Sequence, residues 1–394
     1  MIYGKLAVGG ALWVALSSSA MAQEVRKLDF GLQGGIEHNS NVARTSKGQA
    51  ALRGLSPADT IYTPSATVDA VLPVGRQALF LNGAVGYSFY DKNDKLDRER
   101  LNVAGGVRGR VGMCAVTLTG GYTRGVSEFD DPTLVENVEN IRETDRVAGD
   151  VRCARQTGLG VVASISKDWA RNDLAFAQQS DSERRSMMLG VTYSRPTLGV
   201  LTIYGNRDKT EYPHRIIEDG YDLDAIGVTY ERQLGARIQG SVTVAYTQVT
   251  PHLVVPGSSG KSEITAYSAH LSYRASNRLR FSGAFDRSVM PSTSVGRSYD
   301  LTDIYRLSAD YDLGSRIKVN AGAAKVKRNA EGALGLPINQ LTDSETESVF
   351  GSVRYQQSKR LAFTVSAGRE ERTTNAPQFN YTNERIGVSA DVAF

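Results

Sequence analysis

Hydrophobic and polar residues alternate with a period of two along most of the chain. From Ala78 to Tyr90 the odd-numbered positions are hydrophobic, aromatic or glycine, and most even-numbered positions are small or polar. From Ala236 to Thr247 the same division recurs with the parity reversed. This pattern is typical of β-strands with one apolar face, and no long segment has the 3.6-residue period of a helix. The pattern therefore predicts an all-β fold.

Segments of this kind predict eighteen strands, an even number. They lie near Leu28–His38, Thr60–Leu72, Ala78–Tyr90, Leu101–Val111, Cys114–Arg124, Arg146–Ala154, Leu159–Arg171, Arg185–Arg195, Leu198–Asp208, Asp222–Arg232, Ala236–Thr247, Ile264–Arg274, Arg278–Val289, Thr302–Asp312, Arg316–Val326, Glu347–Gln356, Arg360–Arg369 and Arg385–Phe394. Short connections such as Gly112–Met113 alternate with long polar ones such as Asn39–Asp59, Phe129–Asp145 and Asn329–Thr346. Short periplasmic turns and long external loops predict a transmembrane up-and-down antiparallel β-barrel.

Aromatic residues mark both ends of the predicted strands. Strands descending toward the periplasm end on an aromatic residue of the hydrophobic parity, namely Tyr193, Tyr230, Tyr273, Tyr311, Tyr355 and Phe394. Ascending strands carry aromatics at the opposite end, namely Tyr87, Phe89, Tyr122, Trp169, Tyr246 and Phe285. Two aromatic belts at the two headgroup levels are what a membrane barrel requires.

Both ends of the sequence have features expected of targeting signals. Lys5, an apolar stretch from Leu6 to Leu16 and the small residues around Ala20–Ala22 predict a signal peptide over 1–22 and a mature barrel over 23–394. The apolar stretch is shorter than the roughly 20 residues that span a bilayer, so a membrane anchor is the weaker interpretation. The last strand is hydrophobic at every second residue and ends on Phe394, which we interpret as an assembly signal. These features predict the outer membrane of a Gram-negative bacterium.

Composition excludes several function classes. A net charge of +4 over 394 residues is too small for a nucleic-acid binder with a basic face. Two cysteines and four scattered histidines do not suggest a metal site or a cofactor. Some membrane barrels are hydrolases, but no residue cluster specifies one, so we do not expect an enzyme. Hydrolysis of phospholipid or peptide by the solubilised protein would revive that third hypothesis.

Basic residues concentrate on the parity that faces the lumen. Arginines follow five periplasmic turns directly, at Arg76, Arg237, Arg278, Arg316 and Arg360. Further basic residues on the same face are Arg280, Lys318, Arg110, Arg152, Arg274 and Arg354, only partly offset by Asp69, Glu231, Asp312 and Asp391. We expect these side chains to line the pore and to favour anions. The alternative is that they are solvated turn residues bonded to neighbouring carboxylates.

The two cysteines are expected to pair. Cys114 begins one strand of a predicted hairpin and Cys153 ends the next, on the same hydrophobic parity. Opposed positions of an antiparallel pair are within reach of a disulfide, and the periplasm is oxidising. The alternative is two free thiols.

The sequence HNSNVARTSK from His38 to Lys47, followed by the stretch from Pro57 to Asn93 with its LPVGRQ turn, resembles the putative β-barrel porin 2 family. Ser40 separates the two asparagines, which departs slightly from the commoner Asn-Asn version of this turn. Members often accompany exopolysaccharide or capsule genes, so the resemblance implies a role in moving or retaining a secreted polysaccharide.

We therefore expect a channel that passes a hydrophilic polysaccharide, because barrels of this size usually enclose an aqueous lumen. Specificity is expected from lumen charge and from inward-folded loops, chiefly Asn39–Asp59 and Phe129–Asp145. The alternative is a structural or adhesion barrel with an occluded lumen that tethers polysaccharide. Expected partners are outer-membrane lipid and lipopolysaccharide, the barrel assembly machinery, an acidic polysaccharide and a periplasmic export partner, and no nucleic acid.

Overall fold

The computed structural model describes residues 25–126, 140–155, 157–175, 177–215, 220–253, 260–292, 298–331 and 342–394. The predicted signal peptide at 1–22 and most of the Phe129–Asp145 connection lie outside the described residues. Across the described ranges no helix has the length and apolarity needed to cross a membrane.

The described ranges contain nineteen strand segments, each antiparallel to its neighbours. They are β1 (Lys27–Asn39), β2 (Asp59–Tyr62), β3 (Ser65–Val74), β4 (Gln77–Tyr90), β5 (Arg98–Val111), β6 (Cys114–Val126), β7 (Ile141–Cys153), β8 (Gly158–Asn172), β9 (Ser182–Arg195), β10 (Gly199–Glu211), β11 (Tyr221–Leu234), β12 (Ile238–Pro251), β13 (Ser262–Arg274), β14 (Leu279–Pro291), β15 (Tyr299–Leu313), β16 (Ile317–Glu331), β17 (Asp343–Gln356), β18 (Leu361–Thr374) and β19 (Tyr381–Ala393). One short helix, α1 (Lys47–Leu52), and three short 3-10 turns complete the regular structure of these ranges.

The sheet closes on itself. β1 pairs with β19 from Gly31 opposite Ala393 to Asn39 opposite Arg385. Segments β2 and β3 lie end to end and both pair with β1 and β4, so they share one position in the wall. The result is a closed antiparallel barrel of eighteen positions. The predicted fold class and strand number are confirmed.

The alternation of the sequence corresponds to the two faces of the wall. On β10, Leu201 and Ile203 are exposed on the outer face, whereas Thr202 between them is buried on the lumen side. The six tyrosine and phenylalanine positions expected at the periplasmic end are all exposed outer-face residues. Tyr193 and Tyr230 both lie opposite Leu201, which places these two rings at the same height of the wall.

Lumen-facing aromatic rings pack over glycines of adjacent strands. Phe80 lies opposite Gly106, Tyr204 opposite Gly227, and Phe350 opposite Gly322. A β-carbon added at Gly227 would lie 2.5 Å from the Tyr204 ring, and one at Gly322 would lie 2.5 Å from the Phe350 ring. Rings laid across glycine cover exposed backbone and help to hold strand register.

Candidate functional site: the barrel lumen

The five arginines that follow periplasmic turns form one rim of the barrel. Their side chains are exposed. Within the described part of the chain, none of the five guanidinium groups has a hydrogen bond or an ion pair. Exposed arginines without such contacts are expected both of a pore lining and of solvated turn residues, so their role stays a prediction.

Deeper basic residues oppose one another across strand pairs. Arg274 is the register partner of Arg280, and Lys318 is the register partner of Arg354. Of these four, Arg354 has a short ion pair, with its Nη1 atom 2.7 Å from Oδ2 of Asp391. Like charges placed opposite each other are unfavourable unless water or a counter-ion screens them. This arrangement suits a wet surface that attracts anions.

A larger group of lumen arginines lies on β5 and β7. It includes Arg110 and Arg152, which were predicted to face the lumen. Five further arginines near or above them were not predicted, namely Arg98, Arg100, Arg108, Arg142 and Arg146. The strand between them, β6, presents only alanine, threonine and glycine to the lumen. On the described lumen face from β4 to β8, the only acids are Asp150 and Asp168. We call this surface the basic trough, and the alternation of the sequence alone would have identified it.

The basic trough extends over most of the barrel height. Arg110, Ala115 and Arg152 share one level near the periplasmic end, whereas Arg100 and Arg142 flank Gly125 near the external end. Ten residues separate Ala115 from Gly125 along β6, which corresponds to roughly 33 Å of extended chain. Adjacent strands lie about 4.8 Å apart, so the two arginine columns stand about 10 Å from each other.

The Asn39–Asp59 connection packs against the external end of the lumen. It contains α1, which the alternation did not predict, and its Val42, Ala50 and Leu55 form a buried cluster with Ile61 and Leu96. The backbone N–H of Asn41 donates to Oδ1 of the fully buried, lumen-facing Asn383 at 3.2 Å. This connection therefore covers part of the lumen face of β19.

A second inward element joins β14 to β15. Pairing of β14 with β13 ends at Arg287 opposite Tyr267, although β14 continues to pair with β15 up to Pro291 opposite Tyr299. We call the described residues 288–292 and 298–302 the inner hairpin end. Val289 and Tyr299 have the outer-face parity, yet they are buried against the lumen-facing Tyr221, Leu223 and Val249. The inner hairpin end thus overlaps β11 and β12 on their lumen side.

Side chains from the β10–β11 connection hold this overlap together. The Tyr212 hydroxyl accepts from the N–H of Ser292 at 2.8 Å and donates to the carbonyl of Ser298 at 2.7 Å. Arg215 donates to the Ser292 carbonyl at 2.8 Å and stacks 3.5 Å from the Tyr212 ring. Burial raises the pKa of Tyr212 well above its ordinary value, so the phenol keeps the proton that it donates.

The cysteines and the carboxy terminus lie at the periplasmic end. Cys114 and Cys153 are register partners and are joined as a disulfide in the structure. The backbone N–H of Phe394 donates to the Phe30 carbonyl at 2.9 Å, and its ring is exposed on the outer face. Among the described residues, no three histidine, cysteine or acidic side chains are grouped so that they could hold a metal ion.

These features define a closed outer-membrane barrel with a charged interior. Over residues 31–394 the chain matches the family model described as "Putative beta-barrel porin 2". The chain belongs to this family, which places it among porin-like outer-membrane channels.

Comparison with solved structures finds other barrels. OccK2 (OpdF) of Pseudomonas aeruginosa, solved in complex with glucuronate, is 12% identical with a TM-score of 0.48, over 94% of this chain and 98% of that chain. A BenF-like porin from Pseudomonas fluorescens Pf-5 is 12% identical with a TM-score of 0.49, over 94% and 99%. The siderophore receptor PirA of Pseudomonas aeruginosa is 10% identical with a TM-score of 0.45, over 95% and 81%. No curated protein sequence matches the chain.

Proposed function

We propose that this porin-like channel prefers anions and passes an acidic, hydrophilic polysaccharide across the outer membrane. The observation that carries the proposal is the basic trough. The described lumen face of β4–β8 has seven arginines and two acidic residues. A lumen wall of one sign concentrates ions of the other sign. The basic trough is long and narrow, which suits a chain-like polysaccharide better than a compact solute.

A channel of this kind requires partners in the membrane and in the periplasm. The outer face contacts lipid and lipopolysaccharide, and the barrel assembly machinery inserts the chain through its final strand. The arginines beside the periplasmic turns lie where a periplasmic export partner would deliver an acidic polysaccharide. The chain acts as a channel and not as an enzyme.

Ion selectivity in planar bilayers tests the proposal. Under a salt gradient at low ionic strength, where screening is weak, the reversal potential of the native protein should indicate anion preference. Combined Arg100→Gln, Arg108→Gln and Arg142→Gln substitutions should move it toward the cation side. Arg207→Gln is the matched control, because Arg207 lies on the outer face of β10.

The turn arginines are tested separately. Replacing Arg237, Arg278, Arg316 and Arg360 together with glutamine should also reduce anion selectivity if the periplasmic rim lines the conduit. A folded variant with an unchanged reversal potential would show that only the deeper basic residues contribute. Unchanged potentials in both sets of variants would refute the proposed selectivity.

A second function is favoured by the two inward elements at the external end. If the Asn39–Asp59 connection and the inner hairpin end close the lumen, the barrel tethers polysaccharide at the surface instead of passing it. Conductance separates the two functions. An inserted, correctly folded barrel without measurable conductance would support tethering, whereas single-channel steps would support passage.

A further inference from the structure

The outer face has a groove of about 510 Å³ between β5 and β8, close to the external aromatic belt. Its apolar walls include Val103, Tyr122, Val147 and Trp169. All four side chains have the outer-face parity of their strands, so the groove opens to the membrane and not to the lumen.

The floor of the groove is bare backbone. Gly120 lies on this floor, and its register partner on β5 is Gly105. The Leu81 side chain covers Gly105, with Cδ1 3.3 Å from the position of an added β-carbon, so the recess lies over Gly120. A β-carbon added at Gly120 would meet no atom within 4 Å. In a bilayer, this apolar recess over Gly120 is filled by a lipid chain, because filling it with water is unfavourable.

The rim of the groove carries charges of both signs. Arg171 forms an ion pair with Asp145, which lies between Tyr122 and Trp169 in the outer-face row. The Lys167 ammonium lies 4.5 Å from the centre of the Trp169 ring and 3.0 Å from Oε2 of Glu183. Cations beside aromatic rings at the headgroup level are suited to phosphate, whereas carboxylates accept hydrogen bonds from hydroxyl groups.

We propose that this groove binds a phosphorylated glycolipid of the outer leaflet. One acyl chain lies over Gly120, the phosphate contacts Arg171 and Lys167, and sugar hydroxyls donate to Asp145. An ordinary anionic phospholipid offers the phosphate but fewer hydroxyl donors for the acidic part of the rim. The proposal concerns the outer face and is independent of what the lumen passes.

Trp169 makes the groove directly observable. The sequence has two tryptophans, and the other, Trp13, lies in the predicted signal peptide. The barrel is reconstituted in phosphatidylcholine vesicles whose acyl chains carry bromine, which quenches tryptophan fluorescence on contact. Small fractions of lipid A, of dephosphorylated lipid A or of phosphatidylglycerol, all without bromine, are then added.

If lipid A binds in the groove, it should relieve the quenching of Trp169 on the order of tenfold more than expected from its mole fraction alone. This factor corresponds to the free energy of one charge-assisted hydrogen bond. Dephosphorylated lipid A and phosphatidylglycerol should relieve it several-fold less. Relief in proportion to mole fraction for all three lipids would overturn the proposal. Equal relief by phosphatidylglycerol and lipid A would also overturn it, because the site would then recognise any anionic lipid.

Two variants separate the groove from a general lipid effect. Gly120→Leu fills the floor and should abolish the preference for lipid A. Gly205→Leu is the matched control, because Gly205 is an outer-face glycine on β10 that also has no atom within 4 Å of an added β-carbon. Arg171→Gln should remove the difference between lipid A and its dephosphorylated form. A preference that survives both Gly120→Leu and Arg171→Gln would place the lipid site elsewhere.

Discussion

Removing the disulfide should cost the barrel a measurable part of its stability. Cys114 and Cys153 are separated by 39 residues, and they tie the periplasmic ends of β6 and β7 together. Loop-closure entropy assigns about 3 kcal/mol to a 15-residue loop and about 4.7 kcal/mol to a 100-residue loop. The bond is therefore expected to contribute about 4 kcal/mol to the free energy of unfolding.

The assay is urea unfolding of the reconstituted barrel, followed by the fluorescence of Trp169. Cys114→Ala, Cys153→Ala and the double variant should each lose about the same stability, because either substitution alone breaks the bond. Two independent thiols would give losses that add in the double variant. Reduced native protein supplies a control with unchanged packing.

Two results would contradict this reasoning. One is an unfolding midpoint that is the same for oxidised and reduced native protein. The other is alkylation of both cysteines in unfolded, unreduced protein. The first result would mean that the bond adds no measurable stability, and the second that Cys114 and Cys153 are free thiols.

Three further predictions concern packing and assembly. Gly227→Ala should lower stability by about 1–3 kcal/mol in urea unfolding, because the added β-carbon would press on the Tyr204 ring, whereas Gly205→Ala on the outer face should not. Tyr212→Phe removes the hydrogen bonds of the hydroxyl with the N–H of Ser292 and the carbonyl of Ser298. The inner hairpin end should then be held less firmly, and single-channel conductance or its fluctuations should increase. A conductance trace like that of the native protein would count against a role of these hydrogen bonds. Deletion of Phe394 should reduce the amount of assembled barrel in outer-membrane fractions without changing synthesis, and normal assembly would reject it as the signal.

The strands, the faces and the aromatic belts could be predicted because a membrane wall imposes them locally. Each residue of the wall faces either lipid or lumen, so hydrophobic alternation determines the face of Leu201, Thr202 and Ile203 without reference to distant residues. The basic trough follows from the same rule, and Arg100 and Arg142 were overlooked only because they lie far from the short turns. The helix α1 was not predicted because six residues are too few for a helical period to be recognised.

The inner hairpin end depends on tertiary contacts that alternation does not encode. Val289 continues the outer-face parity of Phe285, and its local sequence predicts a lipid-facing position. It is buried instead because β14 separates from β13 above Arg287 and places Val289 against lumen-facing residues of β11 and β12. Alternation specifies the side of the strand on which a residue lies, but not whether the strand is still in the barrel wall at that height. The position of the inner hairpin end over the lumen therefore depends on contacts such as those of Tyr212 with Ser292 and Ser298, which join segments about 80 residues apart and leave no periodic signal in the sequence.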